Sequence, residues 1–139
     1  MVEQWRARAA ANGLAISHER LRSARLLAEA GQHRDAVSRA YYAMLDSANA
    51  CLAARGIRTR SHTGTITQFG LQFIKTGLIP KEYGRWLARV EGERMDADYE
   101  VAKTFTQDDA KAALRMAEDF VAAVESLVGR LLQDLHHSP

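Results

Sequence analysis

Between Ala36 and Arg55 the chain reads AVSRAYYAMLDSANACLAAR, and this stretch limits the fold more than any other. It lacks Gly and Pro and is rich in Ala, Leu, Met and Arg, residues that lose little on entering a helix. Val37, Tyr41, Met44, Leu45, Ala48, Cys51 and Leu52 recur at helical spacing as one apolar stripe. On the other side Arg39, Tyr42, Asp46 and Asn49 follow at i, i+3, i+7 and i+10 and share a face. Around them lie only Ala36, Ala40, Ala43, Ser47, Ala50 and Ala53, small enough to let another backbone approach. A helix at the rim of a protein would carry Lys and Glu there. The pattern predicts a central helix whose polar ladder faces something other than bulk water. Two alternatives follow: a core helix with its hydroxyls bonded and an Arg–Asp pair at its edge, or one wall of a site.

The rest of the chain predicts an all-α protein. It has only two prolines, and 47% of its 139 residues are hydrophobic, enough for one domain over 1–139 with a core from about 14 to 135. A first helix is expected over 3–30, with Leu14, Leu21, Ala24 and Leu27 inward. Asn12-Gly13 is a candidate break that would leave Met1 to Ala11 as a short N-terminal helical arm. Gly31 and Gly56 bound the central helix, and Ser61 is a natural N-cap for a third, with His62 in its first turn. Ile66, Phe69 and Phe73 carry that helix to Gly77, and Pro80 opens a fourth that runs to about Ala97. Thr106 and Asp109 resemble a capping pair for a fifth, ending near Leu135. The short link between the first two helices makes them antiparallel neighbours.

Composition excludes little about chemistry. A net charge of +2 does not by itself point to nucleic acid. The lone Cys51, on the apolar stripe, rules out an internal disulfide and reads as an inert small hydrophobe. No apolar run is long enough to span a bilayer and no signal-peptide core is evident, so the cytoplasm is the expected location. His136 and His137, in a tail expected to fray, offer at most weak metal binding; no metal or cofactor site is predicted.

Two features break the plain bundle pattern. On helix four, Tyr83, Leu87, Val90 and Arg94 share a side, so Arg94 stands where an apolar residue belongs. A guanidinium facing inward must be paired, and Asp98 one turn on, or Asp46 of the central helix, could serve. Arg55, Arg58, Arg60 and His62 also gather around the GIRTRS loop, either as a solvated basic loop or as an RNA-backbone contact. If helices two and four are neighbours, Arg39, Tyr42 and Asp46 meet Arg94, Asp98 and Tyr99 in one cluster. Arginines beside phenols suit a phosphate with a stacked base, though such a cluster can also pair with itself.

Four blocks in order, SRAYYAM (Ser38–Met44), SHTG (Ser61–Gly64), FIKTGLIP (Phe73–Pro80) and RMDADY (Arg94–Tyr99), resemble the small single-domain HEPN (higher eukaryotes and prokaryotes nucleotide-binding) proteins. The resemblance covers roughly Leu21 to Val124. It implies an up-and-down bundle of four main helices, usually a homodimer, with roles in RNA cleavage or nucleotide binding, often beside a minimal nucleotidyltransferase partner. Ribonuclease members of the wider superfamily place a His four to six residues after the helix-four Arg. Here those positions hold Tyr99, Glu100 and Val101. Literal Arg-to-His spacings at Arg55–His62 and Arg130–His136 fall at a helix end and in the tail.

The leading expectation is a nucleotide- or RNA-binding bundle in a defence or toxin–antitoxin pair. Arg39 and Arg94 would hold phosphate, Tyr42 and Tyr99 would stack or hydrogen-bond, Asp98 would orient Arg94, Asp46 would support from behind, and His62 would line the rim. A divergent metal-independent endoribonuclease, with Asp98 or His62 transferring protons, is the enzymatic alternative; a non-catalytic structural partner is the third. Whether the chain is an enzyme stays open at this point, but without the family histidine isolated ribonuclease activity is expected to be weak or absent. The alanine-rich sides of the central helix also suggest a second close contact, hence a homodimer.

Overall fold

A computed structural model describes residues 2–137 of the chain, and side chains over 4–135. Five helices appear: α1 (Val2–Glu29), α2 (His33–Ala54), α3 (His62–Phe69), α4 (Lys81–Tyr99) and α5 (Gln107–His137). A single π-turn over Gly70–Ile74 extends α3. The expectations for the His136–Pro139 tail fall outside the described side chains.

Contacts fix the direction of each helix. Gly13 lies against Ala50 and Arg20 bonds Asp46, so α1 and α2 are antiparallel. Ser38 meets Asp98 while Arg94 lies over Tyr41, which makes α4 antiparallel to α2. His18 reaches Glu125 and Arg25 reaches Glu118, so α5 runs antiparallel to α1. The four long helices therefore alternate up and down, as the resemblance implies. The central helix packs against all four others.

That position explains its composition. Val37, Tyr41, Met44 and Leu52 are fully buried, joined by Phe69, Phe73, Leu87, Phe120 and Leu127 from the surrounding helices. Phe69 lies 5.4 Å from Phe73 and 5.3 Å from Phe120, tying α3 and its π-turn to α5. The small residues are consumed within the chain: Ala36, Ala40, Ala43, Ser47 and Ala50 are all buried. The motive they offered for a homodimer is met by α1 instead.

One expectation needs correcting. The N-terminal arm is not separate, because α1 runs unbroken through Asn12-Gly13. A Cβ on Gly13 would stand 2.9 Å from Ala50 Cβ, so the glycine lets α1 lie flush on α2. The helix tolerates the lost propensity of about 1 kcal/mol because close packing of the two helices offsets it. The predicted caps are present. The Gly64 N–H donates to Ser61 Oγ at 2.9 Å, and Thr106 and Asp109 exchange backbone and side-chain bonds at the start of α5.

Candidate functional site

Arg94 is buried on the inward face of α4, 9% exposed, where the helical period demands an apolar residue. Its Nη1 donates to Asp98 Oδ2 at 3.3 Å, one turn further on. Its Cζ sits 4.9 Å from the Tyr41 ring centroid and 6.0 Å from that of Tyr42, both on α2. Nε of Arg94 and Oη of Tyr41 are buried without a hydrogen-bond partner among the described residues. A planar cation over phenol faces gains a quadrupole attraction, and the aliphatic stem fills the core position. Burial opposes the charge, but Asp98 and the phenols of Tyr42 and Tyr41 hold the guanidinium above its usual range. Arg94 stays cationic. Burial pushes the Tyr41 phenol up, Glu91 adds to that, and Arg94 opposes it, so Tyr41 stays neutral.

The third wall is His62. Ser61 caps α3, and the Thr59 and Thr65 hydroxyls both donate to Asn49 Oδ1 on α2, at 3.2 and 2.9 Å. This pins the loop to the central helix and sets the first residue of α3, exposed to solvent, beside the phenols of α2. The His62 ring centroid lies 5.8 Å from Tyr42 and 6.0 Å from Tyr41. An imidazole, two phenols, a buried guanidinium and a carboxylate thus share one corner between α2, α3 and α4.

Asp46 does not pair with Arg94. It accepts from Arg20 Nε at 3.2 Å, and Arg20 also lies 5.9 Å from the Tyr42 ring. Burial raises the Asp46 carboxyl, while Arg20 and His62 oppose it. Arg39 is exposed, has no ion pair among the described residues, and lines a shallow cleft with Ser38 and Tyr42. Ser38 Oγ in turn bonds Asp98 at 3.4 Å, which links that cleft to the Arg94 corner.

Tyr99 lies outside the cluster. It is 74% exposed, beside Met95 on the outer face of α4. Five residues past Arg94 turn the helix about 140° away. Two members were not foreseen. Tyr41 reads as apolar stripe and becomes the platform for Arg94. Arg20 stands one position from the inward Leu21, in line with Gly13, Ser17 and Ala24 that face α2; that line was its signal. Among the described residues no group of His, Cys, Asp and Glu could hold a metal ion.

A family model described as the HEPN domain matches residues 12–127, most of the chain. The chain belongs to the HEPN family. The HEPN match takes in α2, α3, α4 and the whole Arg94 corner. Among curated relatives, "Putative toxin MJ0605" of Methanocaldococcus jannaschii is 37% identical over 84% of this chain and 87% of its own length. A UPF0332 protein of Thermotoga maritima is 34% identical over 92% of this chain and 91% of its own. The crystal structure of TT1696 from Thermus thermophilus superposes with a TM-score of 0.74, covering 85% of this chain and 97% of that one, at 20% identity. That likeness shows the all-α bundle as a shared fold.

Proposed function

We propose that this HEPN chain binds RNA or a nucleotide at the Arg94 corner and acts as the toxin-like member of a pair with a minimal nucleotidyltransferase, in the cytoplasm. One observation carries the binding reading: a buried guanidinium over two phenols, linked through Asp98 and Ser38 to a cleft lined by Arg39, Tyr42 and Asp35. A phosphate brings acceptor oxygens suited to a guanidinium fork, and the phenols offer surfaces for a base. The toxin role follows from the names of relatives such as the Methanocaldococcus jannaschii protein.

A second reading is favoured by the His62 geometry. Cleaving RNA without metal requires removal of the 2′-hydroxyl proton, attack of that oxygen on phosphorus, and protonation of the departing 5′-oxygen. Cations must meet the charge that builds on the phosphorane. Arg94 and Arg39 would supply them, Asp98 would orient Arg94, and His62 would stand in for the imidazole absent after Arg94. A lone His62 would serve both proton transfers, so isolated turnover should be slow. The test is incubation of purified protein with mixed RNA beside Arg94→Ala and His62→Ala. The expected result is RNA retention lost in Arg94→Ala with little cleavage. Robust cleavage lost in both variants would make the protein a ribonuclease with His62 as its proton-transfer group; neither retention nor cleavage would leave the chain a structural partner.

The proposed homodimer rests on a different surface from the alanines of α2. Met95, Tyr99 and Val101 are 48%, 74% and 91% exposed on the helix that carries Arg94 and just beyond it. A second copy covering this face would bring two Arg94 corners toward one groove.

A further inference from the structure

We infer a second nucleic-acid subsite, apart from the Arg94 corner, in which a base of single-stranded RNA stacks beside Trp5. This rests on the RNA reading above and extends it. Near the start of α1, Trp5 separates two open clefts. One is a groove of about 390 Å³ whose floor is Ala9, Gly13, Ala50 and Ile57. Arg58, from the loop before α3, lies 4.0 Å from the Trp5 ring centroid and forms a planar cation–π pair that no carboxylate neutralises among the described residues. The second cleft adds Arg8 and Asn12. Among the described residues no acidic side chain lines either cleft, although 17 of the chain's 139 residues are Asp or Glu.

The chemistry matches an unpaired base. An indole face and a guanidinium plane are the surfaces on which splayed bases stack, largely without regard to sequence. Asn49 also lines the groove, and its Oδ1 is already taken by Thr59 and Thr65. Its NH2 is the part left to meet a base edge. Arg8 and Arg58 stand where the adjoining phosphates would run. A docked protein segment would gain from the apolar floor, but it would have to bring its own acid to two arginines that pair with no carboxylate among the described residues.

The groove and the Arg94 corner share α2 and the loop before α3. Asn49 and Tyr42 sit on the same face of α2, about 10 Å apart along the axis. The loop that supplies Arg58 to one side supplies His62 to the other, and Thr59 pins it between them. One strand can touch both.

The experiment compares a dinucleotide with a longer labelled oligouridine, read by anisotropy and by Trp5 emission in a Trp86→Phe background. In wild type, the long RNA should quench Trp5 and bind more tightly than the dinucleotide. Trp5→Ala and the milder Arg58→Gln should each weaken the long RNA, Trp5→Ala by about tenfold, and leave the dinucleotide unchanged. Arg94→Met should weaken both ligands. If Trp5 emission ignores RNA and both groove variants bind like wild type while Arg94→Met does not, the subsite is wrong and the Arg94 reading stands. If the groove variants lose binding and Arg94→Met does not, the subsite stands and the Arg94 reading falls. No binding by wild type overturns both.

Discussion

Arg94 shows what a single residue can and cannot announce. Its inward position is visible from the period of helix four alone, and so is its bond to Asp98, because i and i+4 share a face. The platform beneath it is not visible. Tyr41 has the spacing of a core residue and is one, fully buried, so only its neighbours reveal a second role. Reading the polar end of helix four as one group places Tyr99 in the cluster, and the helical turn carries it outside. Asp46 gives a prediction of defined sign. Burial raises its carboxyl in the folded protein, so the native state holds the proton more tightly than the unfolded chain. Its contribution is fully present below the unfolded pKa and lost as pH rises through the folded one. Asp46→Asn should therefore gain stability over wild type at neutral pH, and the gain should vanish in acid. Urea midpoints across that range check this; a difference that widens in acid would refute it.

At the scale of elements, glycine misleads when read without its neighbours. Asn12-Gly13 has the signature of a break, yet Gly13 is a contact point whose partner, Ala50, is far away in sequence. Two effects compete in Gly13→Ala: helix propensity offers about 1 kcal/mol, and overpacking against rigid backbone costs about 1–3 kcal/mol. The contact should win, for a net loss of about 1 kcal/mol, whereas Gly129→Ala in α5, with open space around it, should gain up to about 1 kcal/mol. Chemical denaturation of both variants decides this, and gains of equal size would show that α1 is not flush on α2. The end of α4 depends on a residue that no local pattern reveals. Arg34 of α2 donates from Nη1 to the carbonyls of Asp96, Ala97 and Glu100 and from Nη2 to that of Lys103, with its Cζ 5.1 Å from Phe105. It caps the negative helix end that Asp98 occupies. Arg34→Ala should cost about 1.5–3 kcal/mol and speed hydrogen exchange in the last turn of α4. Unchanged exchange there would mean that the turn holds itself.

For the whole molecule, periodicity and one short link made the helices and the α1–α2 pairing legible, and the resemblance supplied the up-and-down order of the four long ones. The corner site was only half legible, because His62 reaches it through a loop whose path depends on Thr59 and Thr65 meeting Asn49. That network positions an imidazole where the family spacing after Arg94 lacks one. The exposed Met95–Tyr99 face predicts association of two copies, and Tyr99→Asp should shift sedimentation toward monomer while leaving helicity intact. Wild type that sediments as a monomer at micromolar concentration would contradict it. The central claim is that Arg94 is kept buried and charged to hold phosphate. The most direct test is the affinity of a labelled single-stranded RNA for wild type and for Arg94→Met, which keeps the apolar stem over Tyr41 and removes the charge. Loss of a charge-assisted contact predicts binding weaker by about tenfold or more at an unfolding midpoint within a few degrees of wild type. Equal affinity in the two proteins would contradict it and leave the cluster as a register pin between α2 and α4.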